Sequence, residues 1–281
     1  MIEIYVLEQL KAFYDFGTLS AAAEHLHLAQ PSLTRSMQKL ENTLGVKLFD
    51  RQKNRITLNE TGKLAAQYAN RILNEEINME QRVRAYDRSL HTISIGSCAP
   101  GPLLLLLPQA SGTFPDMTVS SNIGSEDALL KGLNGGDYAM IILNHPLEGE
   151  GFHCQKYETE QLYLSVSHFH PAATMKSITF KEADGQNFIM HAHVGFWENI
   201  VRQKMPNAKF FLQDDMEAVG ELQRSSDLPS FSTDISLRVL KSRQNNRVSV
   251  PFQDTDAFAT YYLICTAQNK HRLSPLLAHE N

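Results

Sequence analysis

A group of polar and cationic side chains near residue 30 has the chemistry to bind a nucleic acid. Amide, hydroxyl and guanidinium groups can hydrogen-bond to base edges or to phosphates in a major groove. From Gln30 to Arg55 the chain has six Lys or Arg residues and two acidic residues, although its formal net charge is −5. Such a local excess of cations suits a polyanion, and a solvated charged face is the alternative. The candidate DNA-binding residues are Ser20, Gln30, Pro31, Ser32, Thr34, Arg35, Arg51, Lys53 and Arg55.

Three short helices would position these groups. Helically spaced apolar residues before Gly17 predict a first helix that this glycine ends. Ser20 fits the N-cap of a second helix, which closes near Leu26. Pro31 fits the first turn of a third helix, which Gly45 ends. Two short helices and a tight turn before a polar, cationic helix predict a helix-turn-helix.

A hairpin follows the third helix. Val46–Phe49 and Arg55–Leu58 alternate in polarity and predict two short strands. The predicted loop, Asp50–Asn54, carries Arg51 and Lys53. We interpret the hairpin as a wing whose cations could lie along the DNA backbone or in the minor groove.

Three motifs in this region keep a characteristic spacing. They are Gly17-Thr18-Leu19-Ser20-x-Ala22-Ala23-x-x-Leu26, Ala29-Gln30-Pro31-Ser32-Leu33-Thr34 and Leu40-Glu41-x-x-Leu44-Gly45-x-x-Leu48-Phe49-x-Arg51. Together they resemble the winged helix-turn-helix of LysR-type transcriptional regulators. The resemblance implies sequence-specific binding of a double-stranded DNA operator by a homodimer that assembles into a homotetramer. It also implies control by a small-molecule effector and altered recruitment of RNA polymerase.

Residues 59–89 contain no proline and predict one long helix. At ~1.5 Å per residue its roughly thirty residues span about 45 Å, more than one small domain can bury along a single stripe. Pairing with a second copy is therefore favoured over packing on the helix's own domain. Steps of four and three define a seam of Ala65, Ala69, Ile72, Glu76, Met79, Val83, Tyr86 and Leu90, of which Ile72, Met79, Val83 and Tyr86 are the candidate dimerisation residues.

The remaining two thirds of the chain predict an α/β domain. Thr92–Gly96, Met117–Ile123 and Tyr138–Leu143 have the pattern of strands, and Leu103–Ala110 and Glu126–Leu133 have the pattern of helices between them. This alternation predicts parallel βαβ units. Ligands of such sheets bind beyond the carboxyl ends of the strands.

The family resemblance gives the domain organisation. It implies an α/β fold class with an N-terminal winged helix-turn-helix, a long linker helix and a periplasmic-binding-protein-like effector domain of two subdomains. The predicted boundaries are 1–58 for the DNA-binding domain, 59–89 for the linker helix and 90–281 for the effector-binding domain. Subdomain I comprises about 90–162 and 266–281, subdomain II comprises about 163–265, and the hinge strands are 162–166 and 261–265.

Two turns in the effector domain could hold a ligand. The turn Ser97–Gly101 and the corner Gly124-Ser125 each follow a strand and precede a helix, so they offer free N–H groups and positive helix ends. Two such ends at one cleft predict a small anionic effector, a carboxylate, although each serine could be a plain N-cap. The candidate contacts are Ser97, Cys98, Ala99, Pro100, Gly124 and Ser125, to which the family topology adds Asn144, His193, Phe196 and Ser230.

Other chemistries have less support in the sequence. The pairs His168/His170 and His191/His193 could ligate a metal on a strand, but no further ligand spacing completes a site, so no metal and no cofactor are expected. Cys98 could sense oxidants, yet it lacks an evident partner. A phosphate loop, a nucleophile elbow and paired catalytic carboxylates are missing from the sequence, so we expect no enzyme. The alternatives are an α/β enzyme with a helical accessory domain and a ligand-binding or assembly module whose winged helix is vestigial or binds protein.

The overall composition is that of a folded protein of about two domains. Of its 281 residues 42% are hydrophobic and 20% charged. Three cysteines are too few and too scattered for a disulfide framework. The longest aliphatic run, Leu103–Leu107, is far shorter than the ~20 residues that cross a bilayer, and the N-terminus has no basic region of a signal peptide. A cytoplasmic protein with no membrane partner is expected.

Overall fold

The computed structural model of the protein describes residues 1–52, 55–240 and 247–278. The chain divides into two compact units, Met1–Arg84 and Ala85–Asn281. Within these ranges no helix is both long and apolar enough to cross a membrane.

The first unit is three helices, a hairpin and most of a long helix. Its buried core includes Leu10, Phe13, Leu33, Met37 and Leu48. The helices and the antiparallel hairpin enclose this core, which confirms the predicted winged helix-turn-helix. The elements are α1 (Ile4–Phe16), α2 (Leu19–His25), α3 (Gln30–Leu44), β1 (Phe49–Gln52), β2 (Arg55–Leu58) and α4 (Glu60–Ser89).

The ends of α1 and α3 agree with the sequence, and the start of α2 does not. Gly17 and Gly45 end their helices with φ of 72° and 71°, a backbone conformation that glycine adopts without steric cost. The predicted N-cap at Ser20 is wrong. Thr18 caps α2, because its extended backbone lets its hydroxyl oxygen accept a hydrogen bond from the N–H of Ala21 at 3.2 Å.

The first strand of the wing begins at Phe49, three residues later than predicted. Arg51 therefore lies in β1, opposite Ile56 on β2, and not in a loop. The delay has a local cause: Glu41 on α3 accepts a hydrogen bond from the backbone N–H of Leu48 at 2.8 Å. Leu48 is therefore hydrogen-bonded to α3, and strand pairing begins at the next residue.

The long helix α4 confirms the helix predicted over 59–89. Its first turn is capped by Asn59, whose side-chain oxygen accepts a hydrogen bond from the N–H of Gly62 at 2.8 Å. Ala66, Ala69 and Leu73 are buried in the core of the first unit. The seam prediction is thus wrong at Ala69, which packs on its own domain. The large apolar residues that α4 and the turn after it expose on one stripe are Leu64, Tyr68, Ile72, Met79, Val83, Tyr86 and Leu90.

The second unit begins with the predicted alternation of strands and helices. Helix α5 starts at Pro100, three residues earlier than expected, and it contains Pro108. The first N–H groups of a helix have no partner within the helix. A proline there loses no hydrogen bond by lacking an N–H, so Pro100 suits this start. The elements are β3 (Thr92–Ser97), α5 (Pro100–Thr113), β4 (Thr118–Ile123), α6 (Glu126–Gly135), β5 (Met140–Leu143) and β6 (Phe152–Ser167).

The rest of the second unit repeats this alternation and returns to the first strands. Short 3-10 turns lie at Pro171–Thr174 and Thr255–Ala257. The described elements are α7 (Phe180–Ala183), β7 (Asn187–His191), α8 (Phe196–Lys204), β8 (Lys209–Gln213), α9 (Met216–Ser225), β9 (Ser230–Thr233), α10 (Asp234–Val239), β10 (Arg247–Pro251), β11 (Phe258–Thr266) and α11 (Ala267–Leu277).

One sheet runs through the second unit in the order β4-β3-β5-β11-β6-β9-β7-β8, and β10 also pairs with β6. Strand β3 is parallel to β4 and β5, as the βαβ pattern predicts. Strand β7 is parallel to β8 and β9. The long strand β6 pairs with β11 over its first part and with β9 and β10 over its second. The predicted hinge segments 162–166 and 261–265 lie in β6 and β11, which connect the two halves of the sheet.

Candidate DNA-binding surface and effector cleft

The first turns of α3 present polar side chains to solvent. Gln30, Ser32 and Arg35 are exposed, and Thr34 is half-buried. Ser20 on α2 donates a hydrogen bond to the Gln30 side-chain oxygen at 3.2 Å. This contact links the two helices of the motif and orients the Gln30 amide, which a base edge could then bind without first ordering the side chain. Pro31 is exposed beside these residues in the first turn of α3.

The wing is anchored to α3 by one buried carboxylate. Glu41 has a side chain only 3% exposed, and its oxygens lie 3.4 Å from the Arg51 guanidinium and 3.7 Å from the Lys47 ammonium. Burial opposes ionisation of Glu41. The backbone N–H groups of Leu48 and Phe49, with the two cations, outweigh it and hold the pKa of Glu41 below its ordinary value. Arg51 is thereby held on the wing with part of its guanidinium still open to solvent.

The side chains of two predicted wing cations lie outside the described part of the structure. Lys53 lies outside the described residues. Arg55 begins β2, where its backbone pairs with Gln52, but its side chain lies outside the described part of the structure. Their roles in DNA binding stay predictions.

The second half of α4 exposes its apolar stripe. Met79, Val83 and Tyr86 are 61%, 64% and 69% exposed, and Ile72 is 46% exposed. Apolar side chains lined up along one helix face in water mark an interaction surface. We call Ile72, Met79, Val83 and Tyr86 the linker stripe.

The structure brings the two predicted ligand turns of the second unit together. The backbone N–H of Gly124 donates to the carbonyl of Ser97 at 3.1 Å. The Ser97 hydroxyl is buried and donates to the carbonyl of Ala99, so it does not cap α5. Ser125 is the exposed N-cap residue of α6 and makes no side-chain cap hydrogen bond.

The other half of the sheet meets these turns at Cys98. Phe196 donates its backbone N–H to the carbonyl of Cys98 at 3.0 Å. Gly195 has a φ of 66°, and a Cβ there would lie 1.9 Å from that carbonyl oxygen, so the two backbones touch. Only glycine fits such an approach. Pro100 follows at the start of α5, and Asn144 is exposed at the end of β5, where its backbone reaches the Cys98 thiol.

Two other predicted contacts have partners of their own. His193 is exposed, and its Nε2 is 3.9 Å from the Asp214 carboxylate. Ser230 is 1% exposed in β9 and accepts a hydrogen bond from the Gln223 side chain at 2.9 Å. The structure therefore groups residues 97–100, 124–125, 144 and 196, and it places Ser230 in the core of the other half.

Glu160 is a buried residue beside this junction that the sequence did not reveal. It lies on β6, is 2% exposed, and its carboxyl group accepts hydrogen bonds from Trp197 Nε1 at 3.0 Å and from the Tyr261 hydroxyl. Burial raises its pKa above the ordinary value, more than the hydrogen bonds with Thr233, Tyr261 and Trp197 lower it. A glutamate in a strand two residues after Glu158 has the spacing of a solvent-facing strand residue, so no local signal marks it as buried.

Burial also sets the chemistry of Cys98. It raises the pKa of the thiol to about 12, with the nearby Glu160 carboxylate adding to the effect. Because the thiolate is the reactive form, a thiol with so high a pKa is a poor oxidant sensor. Cys98, Cys154 and Cys265 are all free thiols.

His170 and His191, one from each histidine pair, have structural partners. His170 accepts a hydrogen bond from the N–H of Ala172 through Nδ1 and contacts the Gln186 side chain through Nε2. His191 Nδ1 accepts from the backbone N–H of His193. Among the described residues, no three His, Cys, Asp or Glu side chains are grouped so that they could hold a metal ion.

Comparison with known families defines the class of protein. Residues 5–63 match the family described as "Bacterial regulatory helix-turn-helix protein, lysR family". Residues 88–278 match the family described as "LysR substrate binding domain". The chain therefore belongs to the LysR family, as the motifs predicted. Both matches are to parts of regulatory proteins, which supports the expectation that the chain is not an enzyme.

Individual relatives agree with this family. The uncharacterised HTH-type transcriptional regulator YybE of Bacillus subtilis (strain 168) is 29% identical to this chain. The match covers 65% of this chain and 65% of the length of YybE. The DNA-binding transcriptional dual regulator OxyR of Escherichia coli (strain K12) is 26% identical over 66% of this chain and 62% of its own length. The chain thus covers slightly less than two thirds of these relatives.

The fold is similar to that of a solved relative. A full-length OxyR variant from Pseudomonas aeruginosa superposes with a TM-score of 0.54 at 19% identity, covering 98% of this chain and 93% of that one. At this identity the similarity supports the α/β fold with its N-terminal helix-turn-helix.

Proposed function

We propose that this protein regulates transcription by binding a specific duplex DNA operator through α3 and the wing. The observation that carries the proposal is the exposed group Gln30, Ser32 and Arg35 in the first turns of α3, within a winged helix-turn-helix of the LysR family. An exposed helix N-terminus with an amide, a hydroxyl and a guanidinium suits readout of base edges in a major groove. Arg51, with Lys53 and Arg55, would neutralise phosphates.

The linker stripe supports a homodimer, which would assemble into a homotetramer. Pairing of two α4 helices would remove four exposed apolar side chains of each copy from water. A dimer would also present two recognition helices. An operator with two half-sites related by two-fold symmetry would match the symmetry of that dimer.

Control would come from a small-molecule effector in the cleft where residues 97–100 meet Gly195 and Phe196. An effector acts only if it binds one arrangement of the protein better than another. Effector binding then shifts the protein towards the arrangement that binds the effector more tightly. That shift would change DNA bending or half-site spacing, and through it the recruitment of RNA polymerase. Such a regulator acts on bacterial DNA, and we propose the cytoplasm as its location.

Base readout by α3 can be tested by one substitution. Against an operator selected from random duplexes, Arg35→Ala should lose affinity and relax the sequence preference at one position, by about tenfold or more. Lys181→Ala removes an exposed cation of the other unit and is the matched control, which should bind like the unchanged protein. Equal effects of the two substitutions would contradict the proposed readout.

A further inference from the structure

A cavity of about 320 Å³ lies in the second unit beside the strands β3 and β4. Its walls come from the last turn of α4, the turn before β5 and the helix α11. The residues of the proposed effector cleft, 97–100, 124–125, 144 and 196, do not line it. The proposed function therefore leaves this cavity without a role. Its polar and charged lining includes Arg88, Ser94, Ser120, Asn122, Asp137 and Arg272.

The floor of the cavity is a row of polar side chains on β3 and β4. Ser94 and Ser120 are partners in the pairing of these strands, and Asn122 lies two residues after Ser120, so the three side chains share one face of the sheet. Because β4 is at the edge of the sheet, Ser120 and Asn122 are exposed. On the same face a Cβ at Gly96 would lie 2.6 Å from Leu129 of α6. Helix α6 therefore covers this face beyond Ser94, and the cavity lies where that cover ends.

Two guanidinium groups border the cavity, and their partners differ. Arg88 lies 2.6 Å from the Asp137 carboxylate, so these two charges balance each other. Arg272 is half-buried and donates through Nη2 to the carbonyl of Ser89 and to the sulfur of Met117. Among the described residues no carboxylate forms an ion pair with Arg272. The lining therefore carries one positive charge in excess, and it lies on α11.

The remaining polar groups offer both donors and acceptors. Asn122 donates its side-chain amide to the Tyr138 hydroxyl at 3.1 Å, and Asn269 donates its own to the carbonyl of Ala139 at 3.3 Å. These bonds use the amide nitrogens and fix the two side chains, so that their carbonyl oxygens can accept from a ligand. The exposed Ser120 hydroxyl can donate or accept. Such a mixed set suits a ligand with several hydroxyl groups.

We propose that this cavity is a second ligand site, for a small acid that also carries hydroxyl groups, as a sugar acid or a sugar phosphate does. Arg272 binds the acidic group, because a planar guanidinium forms paired hydrogen bonds to a carboxylate or a phosphate. Ser120 and the two asparagines hold the hydroxyl groups. The volume suits a small molecule, since such sites typically measure about 300–1,000 Å³. A ligand bound here contacts Arg88 and so the last turn of α4.

Calorimetric titration of the full-length protein at constant ionic strength tests the class of ligand. The two acidic probes are gluconate and glucose 6-phosphate. Glucitol supplies the hydroxyl groups without the acid, and acetate supplies an acid without the hydroxyl groups. At least one acidic probe should bind, with one molecule per chain. Glucitol and acetate should bind more weakly by about tenfold or more, because each lacks one set of hydrogen bonds.

Two substitutions assign the binding to this cavity. Ser120→Phe fills it from an exposed position, and Ser111→Phe makes the same change at an exposed position on α5. Arg272→Gln removes the unpaired charge, and Lys270→Gln removes an exposed charge from the same helix. Each cavity variant should lose affinity by about tenfold or more, and each control should bind like the unchanged protein. If Arg272→Gln failed to fold, Ser120→Phe would still report, because its position is exposed.

Three results would overturn the proposal. The first is that the unchanged protein binds neither gluconate nor glucose 6-phosphate. The second is that a folded cavity variant keeps the full affinity of the unchanged protein, which would place the binding elsewhere. The third is that glucitol or acetate binds as tightly as the acidic probes. The titrations contain no DNA, so their outcome does not depend on the proposed operator binding.

Discussion

The Glu41 carboxylate on the recognition helix α3 accepts a hydrogen bond from the backbone N–H of Leu48 at 2.8 Å. This contact fixes where the wing begins, and it leaves the buried N–H of Leu48 dependent on a single side chain. Glu41→Ala should lower the free energy of unfolding of the first unit by about 1–3 kcal/mol, because the N–H would be buried without its partner. Urea unfolding measures the loss, and Glu24→Ala, an exposed acid on α2, should change stability little.

The pH dependence of the same contact has a defined sign. The pKa of Glu41 in the folded protein lies below its ordinary value, so the ionised form stabilises the fold. This stability is fully present above the unfolded pKa, about 4.3, and is lost as the pH falls through the lower folded pKa. Glu41→Gln should therefore flatten the fall in stability below pH 4.3. An unchanged acid profile would contradict the assignment.

Arg51 on β1 is expected to bind a DNA phosphate. Its guanidinium is partly open to solvent although it lies 3.4 Å from Glu41. Arg51→Ala should reduce the slope of log affinity against log salt concentration by about one, because one fewer counterion is released. Titration of operator binding between low and physiological salt measures the slope. Lys181→Ala is the control. If Arg51→Ala left the slope unchanged, the phosphate contact assigned to Arg51 would be contradicted.

The linker stripe should hold the dimer together. Met79→Glu combined with Val83→Glu places two charges in the predicted seam, where burying them without partners is unfavourable. Sedimentation should then show a monomer that no longer binds its operator. Asn74→Glu combined with Gln81→Glu adds the same charge at exposed positions off the stripe and should leave the assembly intact. A dimer in both variants would refute pairing through this face.

The contact between Gly195 and Cys98 should be intolerant of any side chain. Gly195→Ala combines an unfavourable φ of 66° with a Cβ 1.9 Å from the Cys98 carbonyl oxygen. Gly185→Ala is a close control, because its φ is 83° and no atom lies within 4 Å of the added Cβ. The positive φ should destabilise both variants by about 1–2 kcal/mol through backbone strain. Gly195→Ala should lose further stability, because its Cβ also clashes with the Cys98 carbonyl oxygen. Equal melting temperatures of the two variants would show that the halves do not touch there.

Cys98 should resist oxidation in the folded protein. Burial raises its pKa to about 12, so almost no thiolate exists at neutral pH. Brief incubation with peroxide and mass spectrometry should find Cys98 unmodified under native conditions and modified after unfolding in urea. The half-buried Cys154 serves as the internal comparison. Rapid native oxidation at Cys98 would revive the redox interpretation.

The recognition helix was predictable because its signals are local. Pro31 and Gly45 mark the two ends of α3 through backbone conformations that follow from residue type alone. The start of the wing was not predictable from local signals, because it depends on the hydrogen bond between Glu41 and Leu48, seven residues later. Likewise Thr18 rather than Ser20 caps α2, a choice between two neighbouring hydroxyls that backbone geometry decides.

The cleft was predictable in part. The order of strands and helices placed Ser97 and Gly124 beyond the ends of parallel strands, and the structure brings them within hydrogen-bonding distance. Glu160 was missed, because its burial depends on Trp197 and Tyr261, 37 and 101 residues away in sequence. Contacts of that range leave no period or motif around the residue itself.

Operator selection tests the central claim most directly. Purified protein would be mixed with random duplexes in the presence of heparin at physiological salt, and the bound DNA sequenced. The proposed regulator should enrich one interrupted palindrome, with binding that weakens steeply as salt increases. Binding that shows no preference for any duplex over heparin would contradict it.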